Sequence, residues 1–110
     1  MSAATIPSPA EISAAGDSRF RIDGVLDFDT VPGLMKQARQ LFSGEDSIHV
    51  DFAGVTGCNS AGLALLLEMA REMKQRDKSI QFHNMPDRIR IFAEAYDVAD
   101  ELESAGLLSA

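Results

Sequence analysis

The chain reads as an α/β domain whose helices pack on one face of a small β-sheet, in the order β-β-α-β-α-β-α. Two observations predict this class. Three strand-like segments alternate apolar with polar residues: Phe20 and Ile22, then Ile48, Val50 and Phe52, then Ile80 and Phe82. Each therefore has one dry and one wet face. A doubly wound parallel sheet would bury both faces and give near-continuous apolar strands, so the alternation argues for helical cover on one side. The second observation is that stretches of helical periodicity follow the second, third and fourth strands.

Residues 1–10 hold Pro7 and Pro9 among small residues and read as a flexible lead-in, leaving 11–110 as a single domain. Strand signals cover 11–15 and 19–23, joined by a hairpin around Gly16-Asp17. The first helix follows Asp29-Thr30, either of which can cap it. Pro32 lies in its first turn, Val31, Leu34, Met35, Ala38 and Phe42 form its stripe, and Gly44 ends it. A strand at 47–52 then runs through a glycine-rich turn into a second helix, from near Ser60 to about Arg76. After a strand at 79–83, a third helix starts around Pro86 and carries Ile89, Phe92, Ala93 and Tyr96 at i, i+3, i+4 and i+7. An acidic segment, 99–105, is expected to add a final turn or small helix, with Asp97, Asp100, Glu101 and Glu103 as a solvated end.

The second helix departs from a simple amphipathic pattern. Leu63, Leu66, Leu67, Ala70 and Met73 make one face suited to the sheet, but Leu65 and Met69 lie on another, while Glu68, Arg71 and Glu72 are polar. Such a helix is either buried on two sides by its own fold or presents apolar surface to a partner.

At 110 residues, 45% hydrophobic and 25% charged, the chain can bury a real core without metals or disulfides. No apolar run reaches the roughly 18 residues that span a bilayer. The start lacks the basic and apolar regions of a secretory signal, so a soluble, cytoplasmic protein is expected. The one cysteine, Cys58, fits that compartment and reads as small buried filler with no cationic partner nearby. A net charge of −7 disfavours nucleic acid and anionic lipid. His49 and His83 fall on the polar phase of their strands and read as surface histidines. Gly54, Gly57 and Gly62 hint at a phosphate loop, yet neither GxxxxGK[ST] nor GxGxxG occurs. With no nucleophile–base pairing, metal cluster or paired carboxylates, neither enzymatic activity nor a cofactor is expected; the chain reads as a binding module.

The segment of most interest sets Asn59-Ser60-Ala61-Gly62 at the start of the second helix. Unpaired amides and the helix dipole favour negative charge there, which leaves a hydroxyl such as that of Ser60 open to regulation.

Gly24-Val25-Leu26-Asp27, the strand ending Val50-Asp51-Phe52, and Asn59-Ser60-Ala61-Gly62-Leu63 together resemble the STAS domain of anti-sigma factor antagonists and transporter-associated proteins. The resemblance covers about 11–102. Within the family, Gly62-Leu63-Ala64-Leu65-Leu66-Leu67 and Ile91-Phe92-Ala93-Glu94-Ala95-Tyr96-Asp97-Val98 look most like the MlaB-like branch, whose members serve as cytoplasmic subunits of Mla-type phospholipid ABC transporters, which maintain outer-membrane lipid asymmetry. The resemblance implies a small mixed sheet with helices on one face. It implies a partner-binding surface of Asn59, Ser60, Gly62, Leu63, Leu65 and Met69, facing either an MlaF-like ABC ATPase at the inner membrane or an anti-sigma factor kinase. In antagonists an Asp-Ser-[Ser/Thr]-Gly turn holds a serine that the kinase phosphorylates. MlaB-like proteins commonly place a threonine there, at the contact with the ATPase. Ser60 matches this position, and Asn59 replaces the aspartate. Asp27 matches an aspartate expected near the serine turn, where it either tunes Ser60 electrostatically or holds loop amides.

Overall fold

The computed structural model describes residues 10–98 and residue 100. The elements are β1 (Ala10–Ala14), β2 (Arg19–Leu26), α1 (Val31–Phe42), β3 (Ser47–Cys58), α2 (Ser60–Gln75), β4 (Ser79–His83) and α3 (Asp87–Ala95). Residues 1–9 of the lead-in and nearly all of the acidic 99–105 segment lie outside the described residues, while Ala10, assigned to the lead-in, opens β1 and pairs with Gly24.

The sheet is mixed, four-stranded and ordered β1-β2-β3-β4. β1 pairs antiparallel with β2, while β2–β3 and β3–β4 are parallel. Because successive parallel strands step in one direction, right-handed crossovers place α1 and α2 on the same side. Phe20, Ile22, Leu26, Ile48, Val50, Phe52, Ile80 and Phe82 all turn to that side and are buried. Phe20 meets Phe42, and Phe52 meets Phe82, edge to face with centroids 5.0 and 5.5 Å apart. The other face keeps Arg19, Arg21, His49, Asp51 and His83 among its half-buried and exposed residues.

Two strands outrun the sequence reading. β2 continues to Leu26 and β3 to Cys58, so the glycine-rich stretch after Phe52 is strand and not turn. The register between them shifts at Arg21/Asp23 and again at Gly24/Val25. Gly54 explains the first shift: a Cβ there would run into the Asp23 carboxylate and lie 2.9 Å from the Ile22 carbonyl oxygen. Glycine marks close backbone approach at a bulge here.

The second helix has its apolar girdle because it packs in three directions. The sheet lies beneath it, α1 on one flank and α3 on the other. Met69 and Met73 share a groove with Met35 and Phe42 of α1, and Ile89 of α3 reaches Gly62. Leu63, Leu65, Leu66, Met69 and Met73 are accordingly buried, with Leu65 and Met69 fully so, while Leu67 is only half-buried. Glu72 of the polar face is clamped by the Arg39 guanidinium of α1, with contacts of 2.7 to 3.1 Å. This pair draws Glu72 below the usual carboxylate range, chiefly by hydrogen bonding.

Candidate partner-binding site

The turn that carries Ser60 is anchored from two directions. The Asn59 amide donates to the Leu26 carbonyl at 3.0 Å, so the end of β2 holds the end of β3. Asn59 Oδ1 accepts from the Ala61 amide at 2.8 Å, and the Asn59 carbonyl accepts from the Gly62 amide at 2.9 Å. Asn59 is thus the cap and Ser60 the first helical residue, its backbone fixed by neighbours and its side chain half-buried. Among the described residues no side chain or backbone group bonds the Ser60 hydroxyl.

The adjacent loop is built by Asp27 and Thr30. Asp27 Oδ1 accepts from the amides of Asp29 and Thr30, both at 2.9 Å. Thr30 occupies the cap position of α1 but makes no capping bond. Its buried hydroxyl instead donates to the Val25 carbonyl at 2.8 Å and accepts from the Asp27 amide at 2.9 Å. Of the two roles open to Asp27, holding loop amides is the one the geometry displays. The loop so braced presents Phe28, 69% exposed, at the same end of the sheet as the Ser60 turn, where the parallel central strands β2 and β3 finish. Val25, beside Gly57 in the strand register, is also exposed.

The six residues expected to face a partner divide sharply. Asn59 and Ser60 are accessible in part. Leu63, Leu65 and Met69 are not, because the flanking helices absorb the faces they occupy. Gly62 is also turned inward: a Cβ there would lie 3.3 Å from the Cys58 Cβ and 3.5 Å from the Ile89 Cδ1. It lets α2 sit close on its neighbours and offers nothing to a partner. The residue missed from sequence is Phe28. An aromatic between two aspartates on a loop was its only signal; with Val25 it leaves two apolar side chains in water at this end of the sheet.

Cys58 is half-buried, and burial pushes its thiol up from the ordinary value. Arg88 of α3 is close enough to oppose this, a cation the sequence did not place near the cysteine. Burial prevails, which favours the inert thiol form. Among the described residues, no three His, Cys, Asp or Glu side chains are grouped to hold a metal ion, and no helix is long and apolar enough to cross a membrane.

No curated protein matches the chain. Among solved structures, it is similar to the anti-sigma factor antagonist SpoIIAA in its unphosphorylated form, with a TM-score of 0.58 at 18% identity, over 86% of this chain and 97% of that one. At that identity the likeness concerns the fold: the mixed sheet with its helices. Residues 11–108 match the family described as "Mlab, STAS domain". The chain belongs to that STAS family.

Proposed function

We propose that the chain is a non-catalytic regulatory subunit that docks on the ATPase of an Mla-type phospholipid ABC transporter and supports its assembly or activity. It works in the cytoplasm and reaches the inner membrane only through that partner. The docking surface is the end of the sheet carrying Ser60 and Phe28. The observation that carries this reading is the exposed Phe28 on a hydrogen-bonded loop beside an accessible, capped helix start. A rigid aromatic anchor loses little conformational entropy on binding, and such anchors concentrate binding energy. The family match, whose description names Mlab, supports that choice of partner.

Co-purification of the chain with the MlaF-like ATPase, with Phe28→Asp and Ser60→Asp compared against the parent, tests it. Loss of the ATPase in both variants, with folding intact, is expected. Undiminished capture by both would remove this end of the sheet from the interface.

A second reading is an anti-sigma factor antagonist switched by phosphorylation of Ser60. It is favoured by the hydroxyl's position at the first residue of α2, where a phosphate would meet the helix dipole. The fold of SpoIIAA makes it concrete. Asn59 in place of the family's aspartate separates the two readings, and capture of a kinase in place of an ATPase would select the second.

A further inference from the structure

The open face of the sheet carries a recess of ≈ 340 Å³ lined by Arg19, Arg21, His49, Asp51, His83 and Asn84. Register explains how residues distant in sequence meet there. Arg19 pairs with His49 and His49 with Gln81, while Arg21 pairs with Asp51 and Asp51 with His83. Two rows of side chains therefore cross adjacent strands about 4.8 Å apart.

The rows differ in charge balance. In the second, the Asp51 carboxylate lies between Arg21 and His83. Its Oδ1 also accepts from the Ala53 amide at 2.8 Å and the Asn84 side chain at 2.9 Å. Arg21 is further bound to Asp23 at 2.9 Å. In the first row nothing compensates Arg19: among the described residues it forms no ion pair. An unpaired guanidinium in a recess of a chain with net charge −7 is a local reversal of the prevailing field.

Next to it, His49 Nδ1 and His83 Nε2 stand 2.9 Å apart, with ring centroids 5.2 Å apart and planes within 23°, so the rings meet edge to edge. One nitrogen of this contact donates and the other accepts. Whichever tautomer is present, the neutral pair offers one outward N–H and one outward bare nitrogen. A single added proton fills the bare nitrogen, so that each ring then carries an outward donor, that of His49 in the row of Arg19.

We propose that this recess binds a tetrahedral oxyanion, a phosphate or phosphomonoester group, between the Arg19 guanidinium and the His49–His83 pair. The Arg19 fork and the outward N–H of His49, its partner in the strand register, supply donors to one oxyanion, while His83 holds the other nitrogen of His49 and shares its proton. A divalent cation fits less well, since Arg19 would repel it from His49. Binding is linked to protonation. Burial, Arg19 and His83 together hold His49 below the ordinary histidine range, and a bound anion cancels the repulsion by Arg19. The groups that face the pair are Arg19 and Arg21 from β2, Asp51 from β3 and Asn84 after β4. Of these only Asp51 opposes an anion. Affinity therefore rises as pH falls through the histidine range.

Titration of ¹⁵N-labelled protein with sodium sulfate, which stays dianionic across the range, tests the site by amide and imidazole NMR shifts. Saturable shifts confined to the two rows are expected, tighter at about pH 6 than at about pH 8. Arg19→Gln and His83→Gln should each weaken binding by about tenfold, and Asp51→Asn should strengthen it. Inorganic phosphate should compete with sulfate, and flotation with vesicles containing phosphatidic acid tells a lipid headgroup from a free phosphate source. Shifts that grow linearly and equally with sodium chloride would overturn the site. So would sulfate affinity unchanged in Arg19→Gln, or saturable binding of Zn²⁺ with none of sulfate.

Discussion

The backbone amide of Asn59 donates to the carbonyl oxygen of Leu26 at 3.0 Å, tying the residue that caps α2 to the last residue of β2. The loops that leave these two strands, one bearing Phe28 and the other Ser60, therefore share a fixed frame. The same asparagine caps the helix through its side chain. Asn59→Ala keeps the amide bond and removes the cap, so it should lower stability by about 1 kcal/mol in urea unfolding. Asn59→Asp keeps the cap and should leave stability near the parent value. Equal losses for both would show that the carboxamide and not its capping oxygen is what matters.

Phe28 and Leu65 should behave as opposites. Phe28 stands in water on its loop, whereas Leu65 is fully buried beneath the flanking helices. Phe28→Ala should change unfolding free energy by no more than about 0.5 kcal/mol yet weaken ATPase binding by on the order of 2 kcal/mol if it is the anchor. Leu65→Ala should lower stability by about 2–5 kcal/mol through the transfer and cavity terms. Parallel urea melts and pull-down yields measure both quantities. A Leu65→Ala protein as stable as the parent would return that side chain to the surface.

The wet and dry faces of the sheet were legible because they depend on neighbours two residues apart. Phe20/Ile22, Ile48/Val50/Phe52 and Ile80/Phe82 all point where alternation places them, and β4 keeps the bounds its pattern predicts. The destination of Leu65 and Met69 was not legible. Periodicity assigns them to a second face of α2, but whether that face meets α1, α3 or a partner is a tertiary matter. Gly54 and Gly57 read as a turn because glycine punctuates both turns and bulges, and only the approach of Ile22 and Asp23 decides between them. His49 and His83 looked solitary for the same reason. They lie 34 positions apart and meet only once β3 and β4 align in register.

The glycines give a contrast within one molecule. Gly33 is helical, and a Cβ added there meets nothing within 4 Å. Gly33→Ala should therefore stabilise by about 1 kcal/mol, the helix-propensity difference between the two residues. Gly54→Ala adds the same methyl group against the Ile22 carbonyl and the Asp23 carboxylate. It should destabilise by about 1–3 kcal/mol, as overpacking does. Thermal melts of the two variants, measured together, should move in opposite directions. A Gly54→Ala protein with an unchanged melting temperature would mean that the bulge relaxes freely.

His49 makes stability depend on pH, and the sign follows from the direction of its shift. Its folded-state pKa lies below the ordinary value, mainly through burial and then through Arg19 and His83. The unfolded chain therefore binds more protons than the folded one as pH falls through the histidine range, and protonation favours unfolding. The contribution is fully present above the unfolded value of about 6.5 and is lost progressively below it. Asp51, drawn down chiefly by the Asn84 amide, adds a second loss in the carboxylate range, well separated from the first. Urea midpoints recorded from about pH 7.5 to about pH 5, in a buffer without sulfate or phosphate, should decline, and His49→Gln should flatten that decline. Because the substitution leaves Asp51 in place, midpoints extended to about pH 3 should show the carboxylate-range fall surviving in the variant. An unchanged slope in His49→Gln would assign the decline to other groups and remove His49 as the proton-linked member of the open face.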